Sequence, residues 1–248
     1  MYDPQIILDA VDAHWLPILI GFGLVMVLQN VAMITAVVMT HRERWISIPL
    51  PCTYLWFAHD LGVVARFNVW FHDYGHWFLK LFWVGLLTAL LLELVFLYQA
   101  VVVGRREYLP NGTTAQWGAL VIAGAVATVV LWEYLKHMWG DPLYQAAPAI
   151  TLFVLPLATT ALILRRRSAI AQHPLIYACF AGMVVLWWGV TARFYGPFFT
   201  GWQYLAVGVG AFVMLVAVTV LVARLRRRDA TPGSSAPYWT GQPLKSAT

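Results

Sequence analysis

The sequence predicts an all-α, polytopic integral membrane protein with seven transmembrane helices. The first reason is composition: 61% of the 248 residues are hydrophobic and 11% are charged, whereas soluble domains contain about 25% charged residues. The mean hydropathy is +0.71. The second reason is that seven apolar segments approach or exceed the roughly 20 residues that a helix needs to cross a bilayer. None of them alternates with the period of two typical of membrane β-strands, so helices are predicted.

The predicted helices follow one another with short connections. They cover residues 15–40, 46–71, 78–103, 117–137, 147–164, 174–195 and 203–224. The acidic N-terminal stretch is the reverse of a secretion signal, so the first helix is expected to be retained. We see no internal repeat of the kind found in inverted-repeat transporters. We therefore expect one seven-helix transmembrane domain over residues 1–228 and a disordered cytosolic tail, rich in Gly, Pro and Ser, over residues 229–248.

Basic turns predict the orientation of the helices. "HRER", "GRRE", "RRRS" and "RLRRRD" follow the first, third, fifth and seventh helices, so they lie on one side, which the positive-inside rule makes cytoplasmic. We expect a plasma-membrane protein with its N-terminus outside and its C-terminus in the cytoplasm. Because orientation in the bilayer explains the basic residues, the net charge of +5 does not indicate nucleic-acid binding.

The two cysteines, Cys52 and Cys179, lie in apolar segments and form neither a metal-ligand spacing nor a disulfide framework. They are interpreted as packing residues.

Three polar residues are predicted at one depth in three different helices. With a rise of 1.5 Å per residue, Asp60 lies about 21 Å from the start of its helix, within a hydrocarbon core about 30 Å thick. Glu93 and Asn30 lie at a comparable depth in the third and first helices. A carboxyl group there costs at least about 2.5–3.5 kcal/mol, so it should face the bundle interior. The alternative is that Asp60 and Glu93 only form hydrogen bonds with neighbouring helices.

A second group of ionisable residues is predicted near the outer boundary, and the two groups together predict a polar funnel that opens outward. This group consists of Arg66, Asp73, His76, Glu133, Asp141 and Arg193. Several of these residues can also be explained without a catalytic role. Glu133 with Arg193 would make an ordinary interfacial ion pair, and Asp73 and His76 fall in a loop, where polar residues need no function. His59, next to Asp60, fits packing as well as chemistry.

Aromatic residues make up 15% of the chain, and some lie away from the helix ends where interfacial Trp and Tyr belong. Trp56 precedes Asp60 by about one turn, Phe96 follows Glu93, and Trp187 and Trp188 are in the middle of a helix. Aromatic faces around a buried acid suit protonation of an alkene or epoxide, because they stabilise a carbocation without attacking it. Packing against lipid and core explains the same residues.

The order "QNVAMITAVVMTHRERWISIPLPCTYLWFAHDLG" resembles the integral-membrane terpene cyclases of fungal and bacterial meroterpenoid pathways. In that family a glutamate of the second helix, typically after a Trp, is one of two acids that protonate a prenyl chain. Asp60, in "WFAHD", falls at about that position. The family's second acid lies in the last helix, but residues 203–224 contain no Asp or Glu. Glu93 or Glu133 would then replace it, or the scaffold performs another reaction on a related lipid.

Other classes of protein fit some of the same residues. "HDYGH" places His72 and His76 at an HxxxH spacing, as in membrane hydroxylases and desaturases, and ceramidase-type zinc hydrolases have seven helices. Both need more clustered histidines than this chain provides. A retinal protein needs a lysine deep in the last helix, which is absent here. A small-solute transporter or receptor stays possible, since polar residues inside a bundle also line substrate paths. Sterol isomerases of the emopamil-binding type likewise pair buried acids with aromatics, though with fewer helices, and they show that the same chemistry fits an isomerase.

The resulting prediction is a terpene cyclase, lyase or isomerase that uses acid catalysis on a prenyl or isoprenoid lipid. Asp60 would donate the proton, His59 or Asn30 would set its protonation, and Glu93 or Glu133 would be the second acid or base. The predicted partners are the bilayer and a lipophilic substrate, no metal or cofactor is required, and no oligomeric state is predicted. The predicted substrate-contacting residues are Asn30, Trp56, Asp73, His76, Phe96, Trp188 and Arg193.

Overall fold

The computed structural model describes residues 2–229, which contain helices and no β-strand. Its nine α-helices are α1 Pro4–Ala13, α2 Trp15–Glu43, α3 Leu50–Val64, α4 Trp77–Tyr108, α5 Thr114–Trp139, α6 Pro148–Arg166, α7 Pro174–Phe194, α8 Pro197–Thr200 and α9 Trp202–Asp229, with a π-helical turn at Val69–Asp73. The predicted tail lies outside the described residues, apart from Asp229.

Six of the helices in residues 2–229 are long and apolar enough to cross a membrane: α2, α4, α5, α6, α7 and α9. Their outer faces expose large apolar side chains, such as Val130 (66% exposed) and Leu164 (68%). In water such a surface would be costly, so these faces suit contact with lipid. The protein is therefore an α-helical integral membrane protein.

The predicted second segment, residues 46–71, is shorter in the structure than expected. Only α3, of 15 residues, is a regular helix there. Proline has no N–H and fits only the first turn of a helix, so the helix begins at Leu50, between Pro49 and Pro51, and not at residue 46. At the other end, the Trp70 indole donates to the Val63 carbonyl (2.7 Å) and the Trp83 indole donates to the Val64 carbonyl (3.1 Å). These bonds satisfy terminal carbonyls that have no partner within the helix.

Ion pairs join four helix ends at one end of the bundle, which we call the basic end. Arg166 of α6 binds Glu107 of α4, and Arg226 of α9 binds Glu43 of α2. Arg166 also donates to the Ile46 carbonyl (2.8 Å), just before α3. The four helices α2, α4, α6 and α9 therefore all end on the same side.

The opposite end of the bundle, which we call the Tyr2 end, is closed by the N-terminal segment. The Tyr2 hydroxyl binds the Asp141 carboxylate and accepts from the Leu143 N–H (3.1 Å). Asp141 in turn accepts from the backbone N–H groups of Gln145 (3.0 Å) and Ala147 (2.8 Å), which lie just before α6. The sequence analysis did not predict α1, whose apolar face is buried at this end through Ile7, Leu8 and Val11.

α3 runs from the basic end to the Tyr2 end. Its start follows Ile46, which is bound at the basic end, and just after its end Arg66 pairs with Glu133 and with Tyr144. At 1.5 Å per residue its regular part is about 22 Å long. α3 packs against α4, α5 and α6, and this places Asp60 inside the bundle.

Candidate functional site

A cavity lies within the bundle between α2, α3, α4, α6 and α7, and its walls are mainly apolar. Its volume is about 50 Å³, measured as the space open to the centre of a water molecule. This is room for a small number of waters, since one water needs about 10–15 Å³ on that measure. The cavity is lined by Met26, Gln29, Met33, Trp56, His59, Asp60, Phe82, Leu86, Glu93, Pro148, Thr151, Leu152, Phe180, Met183 and Trp187.

Helical spacing explains why these residues meet. On α3, Trp56, His59 and Asp60 are three and four residues apart, so they share one face of the helix. On α7, Phe180, Met183 and Trp187 follow the same rule. Each helix therefore presents one stripe to the cavity, and the polar groups come from α2, α3, α4 and α6.

Two of the predicted catalytic residues, His59 and Asp60, are in direct contact. The His59 Nδ1 atom is 2.5 Å from Asp60 Oδ1, and the two residues are 5% and 4% exposed. When Nδ1 carries the proton, it donates to the Asp60 carboxyl group. His59 is held between the rings of Trp132 and Tyr144, with centroids 5.9 and 5.5 Å away.

Glu93 of α4 meets this pair from the other side. It is 1% exposed, and its carboxyl group interacts with that of Asp60. Two carboxyl groups in contact in an apolar cavity cannot both ionise without a large energetic cost, so such a pair retains a proton. The structure thus joins three buried ionisable side chains from two helices.

Two buried polar atoms of this cluster have no hydrogen-bond partner within residues 2–229. They are Oε2 of Glu93 and Nε2 of His59. A buried polar atom without a partner costs about 1–3 kcal/mol, so a native protein usually keeps it for water, a ligand or chemistry. The Glu93 oxygen belongs to a residue that lines the cavity, where a bound molecule can reach it.

Aromatic rings form much of the cavity wall. Trp56 packs against Phe180 with ring centroids 5.3 Å apart, and Trp187 and Phe82 line the cavity beside them. The electron-rich faces of such rings attract positive charge, most strongly for Trp. The wall therefore suits a cation that forms beside the carboxyl pair.

The structure places the cavity away from several predicted substrate-contacting residues. Asn30 donates to the Met26 carbonyl of its own helix (2.8 Å). The Trp188 indole donates to the Tyr204 carbonyl (2.9 Å), and Phe96 is buried in the core outside the cavity lining. Arg193 is exposed, 5.7 Å from the centre of the Phe194 ring.

Glu133, Asp73 and His76 lie towards the Tyr2 end. Glu133 pairs with Arg66, not with Arg193, and both side chains are about one third exposed. Asp73 is exposed in the π-helical turn. His76 Nε2 is 3.1 Å from Asp12, to which the Trp77 indole also donates (3.0 Å). The Trp77 bond, with a smaller contribution from His76, lowers the pKa of Asp12.

The outward funnel expected from the sequence is closed in the structure. Phe22 packs against Trp187 (4.9 Å between centroids), Phe78 (5.7 Å) and Tyr195 (6.0 Å) between the cavity and the Tyr2 end. On the α5 side, Trp132 and Tyr144 are buried beside His59. These rings separate the carboxyl pair from the polar residues of the Tyr2 end.

Of the cavity-lining residues, the sequence singled out Trp56, His59, Asp60, Glu93 and Trp187. It singled out no cavity residue of α6, and neither Phe82 of α4 nor Phe180 of α7. The stripe of Phe180, Met183 and Trp187 has helical spacing, which is a signal the sequence does contain. Apolar residues face lipid as well as core in these helices, so spacing alone did not show which stripe faces inward.

Within residues 2–229, no group of three or more His, Cys, Asp or Glu side chains is arranged to hold a metal ion. His72 of the HxxxH motif is exposed, and both ring nitrogens of His76 have partners, Asp12 and the Phe78 N–H. Cys52 and Cys179 are free and buried.

Comparison with protein-family models, curated proteins and solved structures finds no match for this chain.

Proposed function

We propose that the protein is a membrane-embedded acid catalyst that cyclises or isomerises an isoprenoid lipid. The observation that carries the proposal is that Asp60 and Glu93 line the same aromatic cavity, where their carboxyl groups interact, with His59 against Asp60. The resemblance of the first two helices to membrane terpene cyclases supports the same chemistry.

The carboxyl pair would share one proton and alternate between acid and base. Glu93 Oε2, which has no hydrogen-bond partner within residues 2–229, would be the oxygen available to the ligand. Protonation of a terminal alkene or epoxide breaks its π bond or a C–O bond and leaves a carbocation. Loss of a C–H proton from that cation to the pair then forms an alkene and restores the acid, so no cofactor is consumed.

The cavity wall would guide the cation to a defined product. Trp56, Trp187, Phe82 and Phe180 offer ring faces to the positive charge. The closed Tyr2 end keeps water away from the cation, and this favours cyclisation or isomerisation over hydration. A prenyl chain exceeds the present volume, so Met26, Met33 and Met183 would move; methionine is unbranched and adapts readily.

The proposal includes a seventh membrane crossing and an orientation. α3 connects the same two ends of the bundle as its neighbours, and with it the chain crosses seven times. The arginines of the basic end would then face the cytoplasm and α1 would lie outside, in the plasma membrane. A reporter fused after Arg228 should therefore be cytoplasmic, and a signal from the other side would contradict this orientation.

The reaction can be tested with the purified protein in lipid vesicles, using farnesol and its terminal epoxide as probes in deuterated water. The pair's proton exchanges with solvent, so a cyclised or isomerised product of farnesol should contain one deuterium on the protonated carbon. The epoxide is protonated on oxygen, where deuterium exchanges back, so its product reports only ring opening and cyclisation. A farnesol product without deuterium would exclude protonation by the pair. Unchanged probe that accumulates in the vesicles in response to a proton gradient would instead favour the carrier alternative.

A further inference from the structure

The exposure of the cavity-lining residues differs between its walls. All residues that α3, α6 and α7 contribute are buried. The lining residues that are only half-buried are Met26, Gln29 and Phe82, and they belong to α2 and α4. The cavity therefore approaches the surface of the bundle between α2 and α4, on a side that faces lipid.

Gly85 weakens the packing between α2 and α4 beside the cavity. A Cβ atom at Gly85 would come within 3.1 Å of Met26 Cε and 3.5 Å of Met26 Sδ. The missing side chain leaves space on α4 that the end of the Met26 side chain occupies. Methionine has three rotatable bonds, so the Met26 side chain can move out of this space. Towards the Tyr2 end, by contrast, the boundary is made of packed rings, Phe22 against Phe78.

The chemistry along this path suits an apolar ligand with one hydrogen-bonding group. Val27, Leu81 and Val84 are exposed on the same two helices. Among residues 2–229, the Gln29 amide has only a long contact of 3.8 Å with the Met33 sulfur, which leaves it able to bind a hydroxyl or carbonyl oxygen at the mouth of the cavity.

We infer that the cavity opens to the bilayer between α2 and α4, with Met26 over Gly85 as its movable gate, and that it takes a lipid-dissolved ligand with a single polar group. The identity of the ligand as an isoprenoid rests on the proposed function, whereas the route of entry does not. This inference deepens that function by naming how the substrate enters. Neither aqueous compartment is needed as a source of substrate.

The route can be tested without turnover. Adamantyl diazirine, dissolved in the lipid of phosphatidylcholine vesicles that contain the protein, forms on illumination a reactive species that attacks nearby groups, carboxyl groups among them. Mass spectrometry then measures labelling of Glu93 relative to peptides of the exposed outer faces. Glu107 on the same helix is the internal control, because its 8% exposed side chain lies at the basic end, away from the cavity.

Substitutions at the gate should change this labelling in opposite directions. Gly85→Leu fills the gap and should lower Glu93 labelling several-fold, whereas Met26→Ala widens it and should raise labelling. Gly23→Leu on α2 is the matched control, because a Cβ there meets no atom within 4 Å, and it should leave labelling unchanged.

The outcomes decide the route separately from the reaction. Equal Glu93 labelling in wild type, Gly85→Leu and Met26→Ala, no labelling in wild type, or labelling by a charged water-soluble diazirine would each overturn the lateral entrance. A labelled, gate-sensitive Glu93 in a protein that forms no deuterated product would uphold the entrance and reject the proposed chemistry.

Discussion

Two glutamates of α4, fourteen residues apart, occupy opposite environments. Glu107 at the basic end accepts two bonds from Arg166 (2.9 and 2.6 Å) and pairs with Arg165 as well. Glu93 is more deeply buried, yet the partner it has is another carboxyl group, Asp60. Within the described residues, no arginine or lysine forms an ion pair with Glu93.

The difference separates an acid whose charge is neutralised by arginine and holds helices together from an acid that has no cation paired with it. A buried carboxylate with a bidentate arginine has its charge neutralised and cannot easily accept a proton. A buried carboxyl group beside another one has no such compensation and retains a proton that it can deliver. Burial of an acidic residue therefore does not show whether the residue is structural until its partner is known.

The largest effect is expected from removing the carboxyl pair. Glu93→Gln or Asp60→Asn keeps the shape of the side chain and removes the acid, so turnover of the farnesyl probes should fall by about 10²–10⁴-fold. The melting temperature should stay close to that of the wild type, since an amide costs less to bury than a charge. Glu133→Gln, outside the cavity, is the control and should keep its turnover.

An active but destabilised Asp60→Asn would mean that Asp60 is structural. Loss of turnover in Glu133→Gln at unchanged stability would restore Glu133 as the second acid, one of the two possibilities that the sequence left open.

Removal of the arginine at the basic end should affect stability and not chemistry. Arg166→Met leaves Glu107 without its buried partner and should lower the free energy of unfolding by about 3–5 kcal/mol. Arg165→Met removes a cation that is 47% exposed from the same carboxylate, and should cost less than about 1 kcal/mol. Chemical unfolding in detergent micelles measures both, and equal losses would show that burial does not set the strength of this cluster.

A smaller effect is expected at the Tyr2 end. Burial, with the nearby Asp141 carboxylate, raises the pKa of Tyr2. The unfolded chain releases this proton near pH 10 while the folded chain retains it, so the contribution of Tyr2 to stability is lost as the pH rises above about 10. Tyr2→Phe should lower the free energy of unfolding by about 1–3 kcal/mol at pH 7.

That difference between wild type and Tyr2→Phe should shrink in alkaline solution. Unfolding measured at pH 7 and again above pH 10 tests it, and a difference that does not depend on pH would show that Tyr2 does not ionise differently in the two states.

No effect is expected from chelation. The proposed reaction uses only protons of the carboxyl pair, so activity should survive EDTA. Activity that is lost and then restored by a divalent metal would move the assignment to the HxxxH alternative around His72 and His76.

Parts of the cavity were predictable because depth along a helix can be counted. Asp60 and Glu93 were expected at one level, and the structure places both in the wall of one cavity. Asn30 was expected at that level too, but its amide turns back to its own helix and Gln29 lines the cavity instead. Depth follows from the rise per residue, whereas orientation around the helix axis depends on which neighbour each face meets.

The expected pairing of Glu133 with Arg193 shows the same distinction. Both residues lie near the Tyr2 end, as counting indicates, but Glu133 pairs with Arg66, which follows α3, the neighbour of α5. Distance along the chain does not predict which arginine pairs with Glu133, since Arg66 and Arg193 are both far from Glu133 in the sequence.

The sequence by itself determined the class of the protein. So much apolar surface can be covered only by lipid, and in lipid a helix satisfies its backbone N–H and C=O groups by its own hydrogen bonds. It also determined that α2, α4, α6 and α9 carry arginine in their last turn. Only the tertiary structure decided that α3 is short, that rings close the Tyr2 end, and that Glu93 faces Asp60 while Glu107 faces arginine. The physical reason is that a helix in lipid has apolar residues on every side, so its inward face is chosen by packing with other helices and not by its own pattern.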